Sequence, residues 1–166
     1  MTDRKGTLFV LTGPSGVGKG TVLSNFFDKN GRDGFFFSIS ATTRSPRPGE
    51  KEGVNYYYKT QQEFQQMVEN GEFLEYAEFC DNRYGTPAAP VDAELEKGKD
   101  VILEIEVKGG LQVMETRPDA TFIFVAPPSL SELEARIRGR NTEPEDVIAQ
   151  RLEKARWELT QIDKYQ

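Results

Sequence analysis

The run Gly13-Pro14-Ser15-Gly16-Val17-Gly18-Lys19 has the spacing G-x-x-x-x-G-K, a pattern that cradles phosphate when it follows a strand and opens a helix. Its glycines let the backbone curl until successive N–H groups point at phosphate oxygens. The helix N-terminus adds its dipole, and Lys19 reaches the β- and γ-phosphates as a point charge. A glycine-rich turn without ligand is the plain alternative, and spacing, lysine and context together speak against it. The position after Lys19 is usually Ser or Thr, whose hydroxyl helps hold magnesium. Here it is Gly20, and the hydroxyl comes one later, at Thr21, which then touches either the metal or only phosphate and water.

Glu104 and Glu106 lie two apart in Val101–Val107 (VILEIEV), so on a strand they share a face. In a parallel sheet covered by helices an ionised side chain is costly unless it faces a cleft, a metal or a cation. The pair therefore reads as a Walker-B-like acidic group, acting on magnesium through water or on a bound acceptor. A strand end emerging into solvent is the competing reading. Gly109-Gly110 just beyond allow close backbone approach at the C-terminal rim, where ligands of such sheets bind. Arg44 and Arg47 stand in a loop stiffened by Pro46 and Pro48, and their planar, bidentate donors suit a phosphate dianion; a solvated basic loop is the alternative. Arg136 and Arg140, four apart, share a helix face, and with Arg151 they form a second station that could close over phosphates as a lid. Glu143, Glu145 and Asp146 make surface ion pairing its competitor. With the phosphate loop, the two stations suggest two anionic substrates brought end to end.

These groups require a scaffold of alternating strands and helices. Thr7–Thr12 (TLFVLT) reads as a buried strand ending at the glycine turn, and a helix from about Lys19 to Asp28 places Val22, Leu23, Phe26 and Phe27 on one face. Buried strands recur at Val101–Val107 and Thr121–Ala126, with a shorter candidate at Phe35–Ile39. That rhythm predicts a parallel sheet flanked by helices. Thr60 with Glu63, Ser129 with Glu132, and Thr142 with Glu145 have capping-box spacing, with Pro144 in the first turn of the third helix. Gly71 and Gly98 stand where C-terminal caps are expected. From about Ser40 to Pro90 the texture changes to Tyr, Phe, Gly and Arg in short alternating runs, which predicts a small, partly antiparallel lobe inserted after the second strand.

Composition narrows the chemistry. The 166 residues suit one compact domain with a small insertion, and 37% apolar residues with 11% aromatics can build a core. With no histidine, catalytic triads, His-ligated metals and imidazole acid–base steps are excluded. The single Cys80 can form neither an internal disulfide nor a thiolate zinc site and reads as a small buried thiol in a reducing compartment. A net charge of −6 argues against binding a nucleic acid polymer, though basic groups can still converge locally on a phosphate ligand. No apolar run approaches a membrane span, and the polar start Met1–Lys5 is unlike a signal peptide. A cytoplasmic protein is the expectation.

The sequence resembles guanylate kinases over essentially its whole length. The resemblance is carried by GPSGVGKGT (Gly13–Thr21), SATTRSPRPGE (Ser40–Glu50), GVNYYY (Gly53–Tyr58), FLEYAEF (Phe73–Phe79), YGTP (Tyr84–Pro87), ILEIEVKGG (Ile102–Gly110), FIFVAPPSL (Phe122–Leu130) and RGRNTE (Arg138–Glu143). It implies an α/β fold of the P-loop NTPase type. The core would comprise residues 1–39 and 91–166 with a helical lid at about 127–150, and residues 40–90 would form an inserted mixed α/β GMP-binding lobe. It implies transfer of the γ-phosphoryl group of ATP to GMP, with magnesium arriving on ATP and held mainly by nucleotide and water. By motif, the phosphate loop from Gly13 to Thr21 would hold ATP, with Lys19, Arg44, Arg136, Arg140 and Arg151 on the transferring phosphates. Ser40, Arg44, Arg47, Tyr56 and Tyr84 would hold the GMP phosphate. Glu75 and Thr86 would read the guanine edge, and Glu104 and Glu106 would lie near the acceptor and metal. Related chains continue past Lys164-Tyr165 into another core strand, a base-contacting turn and a final helix, so the resemblance implies a sheet edge lacking its partner. Two rival readings are a phosphopeptide-binding scaffold domain of the same fold without catalysis, and a kinase acting on AMP, dTMP or UMP. The intact Lys19 and glycines oppose the first. The sequence leaves monomer and homo-oligomer open.

Overall fold

The computed structural model describes residues 4–79, 81–139 and 143–165. Cys80, Arg140 and the expected cap Thr142 lie outside the described residues. Strand β1 (Leu8–Thr12) runs through the phosphate loop into helix α1 (Lys19–Asn30), followed by β2 (Phe35–Phe37), β3 (Ala41–Thr42), β4 (Tyr57–Tyr58) and α2 (Gln61–Glu69). Then come β5 (Phe73–Phe79), β6 (Asn82–Pro87), α3 (Ala88–Glu96), β7 (Asp100–Glu104), α4 (Val107–Thr116) and β8 (Thr121–Phe124). The chain continues through α5 (Leu130–Gly139) and α6 (Glu145–Leu159) to a 3-10 turn over Ile162–Tyr165.

These strands form two sheets. The first, ordered β2-β7-β1-β8, is parallel throughout, with Val10 opposite Leu103 and Phe122. Val10, Val101 and Leu103 are fully buried, as expected of a sheet covered on both faces. The second, ordered β4-β3-β6-β5, is mixed: β3 and β4 are parallel, and the other pairs are antiparallel. The α/β class expected from the alternating pattern is the one found. One apolar cluster lies under the first sheet around Leu8, Leu74, Val91, Leu95 and Val113, and a second joins Val17 of the phosphate loop to Leu133 and Ile137 of α5 and Ile148, Leu152 and Ala155 of α6.

The local rules that the sequence displays are largely obeyed. Thr60 and Glu63 form a reciprocal capping box on α2, and Ser129 Oγ accepts the Glu132 N–H at 3.1 Å. Pro144 is the N-cap of α6 rather than a residue of its first turn. Three expectations are corrected. The strand expected over Val101–Val107 stops at Glu104: the Ile105 N–H makes a last bond to the Leu11 carbonyl, and Glu106 is already the N-cap residue of α4. Glu104 and Glu106 therefore do not share a strand face. The strand expected through Ala126 stops at Phe124, and it is half-exposed because it forms the sheet's edge. On α1, Phe27 is buried, but Val22 and Phe26 are 49% and 43% exposed. The anchor is local: the Phe27 ring meets Phe35 and Phe37 edge-on at 5.4 and 4.8 Å. Phe27→Ala is expected to lower unfolding free energy by about 3–5 kcal/mol in a denaturant titration, whereas Phe26→Ala costs about 1 kcal/mol.

Candidate active site

The phosphate loop leaves β1 at Gly13, where a side chain has no room: a Cβ would lie 2.3 Å from the Val125 carbonyl oxygen. It re-enters regular structure at Gly18, whose left-handed conformation (φ 102) makes it the N-cap of α1. No side chain caps α1 and its first turn holds no acid, so its leading N–H groups are left to an anion. The Lys19 ammonium folds back onto the loop, donating to the carbonyls of Gly13 at 2.7 Å and Pro14 at 3.3 Å. Burial pulls its pKa down, opposed by Glu104, Glu158 and Glu106. Glu158, on α6, is itself 2% exposed and its carboxyl is pushed up by burial.

Two cavities meet beside this lysine. One, of about 340 Å³, is lined by loop residues with Gly20, Thr21, Glu104 and Glu106. The other, of about 350 Å³, runs from the same Lys19, Glu104 and Glu106 past Ser40, Tyr56 and Tyr84 to Glu75. Glu104 stands at the strand end with an oxygen 3.7 Å from where a Gly20 Cβ would lie. Glu106 is paired with Lys154 at 2.9 Å. Gly109 and Gly110 lie inside α4, and the space they leave is taken by protein: Glu75 presses on the first, and Thr12 and Tyr165 on the second. Gly109 also lines the second cavity, at the rim where the sequence suggested close backbone approach. At the far end Glu75 is 9% exposed and accepts the Thr86 hydroxyl at 2.7 Å. Burial pushes its carboxyl up, against the Thr86 bond.

The basic residues occupy both ends. Arg44 stacks over the Tyr56 ring at 5.2 Å, while Arg47 is exposed and neither lines the second cavity. From the other side Arg136 donates to the Val17 carbonyl at 3.1 Å, and Arg151 donates to Ser15 Oγ at 2.9 Å while pairing with Glu143. Both therefore touch the phosphate loop. The ion-pairing reading holds in part: Arg138 is engaged by Glu134 and Glu145. Arg140 lies outside the described residues.

The guanylate kinase family model matches residues 5–166. The chain belongs to the guanylate kinase family. It is 52% identical over 163 residues to the guanylate kinase of Streptococcus thermophilus, covering 98% of this chain and 78% of that one. It is 53% identical over 165 residues to that of Bacillus anthracis, covering 99% and 80%. Its fold is similar to the crystal structure of guanylate kinase from Anaplasma phagocytophilum, with a TM-score of 0.70, 33% identity, and coverage of 99% of this chain and 76% of that one.

In this guanylate kinase-family chain the sequence reading passed over Glu50. Its carboxylate takes both Arg44 guanidinium nitrogens, at 2.9 and 3.0 Å, the Arg47 N–H at 2.7 Å and the Tyr58 hydroxyl at 2.9 Å. The available signal was Glu50 three residues after Arg47 in a proline-bounded turn. The Arg44 bonds, then the Arg47 N–H, pull its pKa from 4.5 to about 2. A carboxyl depressed on folding stabilises fully above its unfolded value and loses that contribution as pH falls through the folded one. Glu50→Gln is therefore expected to lower the unfolding midpoint near neutrality. The gap to the parent protein should close on acidification between pH 4.5 and about 2; a gap unchanged across that window contradicts this account.

Proposed function

We propose that the protein transfers the γ-phosphoryl group of ATP to GMP, giving ADP and GDP, within nucleotide metabolism. The observation that carries this is the meeting of the two cavities at Lys19, Glu104 and Glu106. One cavity follows the phosphate loop, and the other ends at a buried carboxylate. A GMP phosphate oxygen attacks the γ-phosphorus in line while the bond to the β-phosphate oxygen of the departing ADP breaks. The enzyme forms no covalent intermediate and works by position and charge. Residues from Gly13 to Thr21 hold the ATP phosphates. Lys19 exchanges its carbonyl partners for phosphate oxygens, and Arg136 and Arg151, already on the loop, are placed to meet the transferring charge. Arg140 belongs to the same lid by motif, and residues of about 127–150 would act as that lid.

In the segment 40–90, which we read as the GMP lobe, Ser40, Tyr56 and Tyr84 line the cavity that takes the acceptor phosphate, and Arg44 and Arg47, outside that lining, reach it as the lobe closes. Glu75 accepts from the guanine N1–H and 2-amino group, and Thr86 steadies it. Adenine has neither donor and would leave the buried carboxylate unpaired. Glu104 and Glu106 lie between the two phosphates. Among the described residues no three acids gather as a metal cage. Magnesium would arrive on ATP, with Thr21 and Glu104, which line the loop cavity, the side chains that could help to hold it. Such an ion would neutralise charge on the phosphates. No described helix is long and apolar enough to cross a membrane, and a cytosolic setting, where both nucleotides circulate, suits the reaction.

A coupled ADP-release assay with ATP and a panel of GMP, AMP, dTMP and UMP tests the reading, and turnover with GMP alone is expected. Lys19→Met should lower kcat by about two orders of magnitude or more with the fold retained, and near-normal turnover by the folded variant would sink the assignment. Because burial raises the Glu75 carboxyl, protonation should raise KM for GMP on acidification at a pH above the ordinary carboxylate range. Glu75→Gln should abolish that limb and weaken selectivity for GMP, leaving KM for ATP unchanged.

A further inference from the structure

The guanine-facing carboxylate is carried by β5, an edge strand of the second sheet, yet what surrounds it belongs to α4, the helix that follows the first sheet's β7. Gly109 is buried, and a Cβ there would lie 2.8 Å from Glu75 Oε2, 3.3 Å from Cδ and 3.4 Å from Cγ. All three nearest atoms belong to that one side chain. Swinging the carboxylate away into the cavity it lines would break the bond that ties Oε1 to Thr86 at 2.7 Å. Three residues further along α4, and so on the same side of the helix, Gln112 grips the neighbouring backbone at two points. Its Oε1 accepts the Tyr76 N–H at 3.1 Å, and its Nε2 donates to the Tyr76 carbonyl at 3.0 Å. This amide does for the open edge of β5 what a further strand would do, holding the peptide beside Glu75 in register.

We propose that α4 is the mount of the base-reading carboxylate, with Gly109 and Gln112 as positioning residues that set selectivity for the guanine edge. The proposal rests on the reading of Glu75 as the group that meets that edge. Gly109 supplies the gap into which the carboxylate settles, and Gln112 fixes the strand from which it projects. A two-donor base edge needs both carboxylate oxygens placed within a few tenths of an ångström. Small displacements of such a group cost selectivity more than they cost turnover.

The test compares GMP with its hypoxanthine analogue, which keeps the N1–H but lacks the 2-amino group, in the parent protein and in Gly109→Ala, Gln112→Ala and Glu75→Gln. Gly109→Ala is expected to raise KM for GMP about tenfold and lower the GMP-to-analogue ratio of kcat/KM by a similar factor, with kcat within about threefold and KM for ATP unchanged. Gln112→Ala should move the same ratio in the same direction by about threefold. Gln112→Glu keeps the acceptor for the Tyr76 N–H and loses the donor, and should fall between it and the parent. A merely structural role would lower the unfolding midpoint and leave the ratio fixed. If the ratio drops in Glu75→Gln but holds in folded Gly109→Ala and Gln112→Ala, the mount is wrong and the carboxylate reading stands. If Glu75→Gln leaves the ratio unchanged, both fall. If Gly109→Ala does not fold, the two Gln112 variants decide.

Discussion

The leading N–H groups of α1 must be kept open to an anion at the mouth of a parallel sheet, with no side chain capping them, and much of the fold follows from that demand. Backbone donors left open in a protein interior are costly, so the turn that presents them has to be held from outside. Gly13 is pressed against Val125, the chain leaves β1 in the middle of its sheet, and Val17 is sunk among α5 and α6. Arg136 and Arg151 bond to the loop from the same helices. The helices that carry these cations are thus the ones that brace the loop, and the anion site and its covering charge are built as one unit.

The opposite end of the site answers to a different requirement. Glu75 is a buried carboxylate that, among the described residues, accepts from Thr86, and a buried acceptor with spare lone pairs is expensive until a ligand fills them. On the proposed reading of the site, that cost would make it the discriminating group. It also explains why the surroundings are rigid: Gly85 admits the Phe73 ring and the Glu75 carbonyl to within about 3 Å of where its Cβ would be, and Phe73 stacks on the buried Phe64 at 4.5 Å. Arg83 covers the outer side of Phe64 at 4.8 Å, doing with a planar cation what an aromatic ring would do at that position.

What could be read from the sequence was local. The strand–glycine–helix sequence of the phosphate loop, the Thr60–Glu63 capping box and the change of texture after Ser40 each rest on neighbours a few residues apart, and each is present. The misreadings came where distant partners decide. Period-two spacing put Glu104 and Glu106 on one strand, but the ladder with β1 ran out first and Glu106 became a helix cap. The apolar stripe of α1 was read correctly at Phe27 and too broadly at Val22 and Phe26: Phe26 meets Phe35 of β2 edge-on at 5.9 Å but stays 43% exposed. Gln112 and Tyr76 lie 36 residues apart, and nothing in either neighbourhood announces their bond. Glu50 is the intermediate case, near in sequence to Arg44 and Arg47 but visible only once the proline turn is folded.

The wall shared by the two cavities carries Lys19 and Glu104, together with Glu106, which Lys154 already neutralises. Taken alone, it offers a phosphoryl group in flight almost no surplus positive charge. On the donor side Arg136 and Arg151 already bring that excess to the phosphate loop from α5 and α6; on the other side Arg44, in the loop after β3, is tied to Glu50. A water molecule reaching a bound triphosphate without the acceptor in place meets the donor-side charge alone, while Arg44 stays with Glu50. Thrift with the donor nucleotide is thus written into where the charges are not.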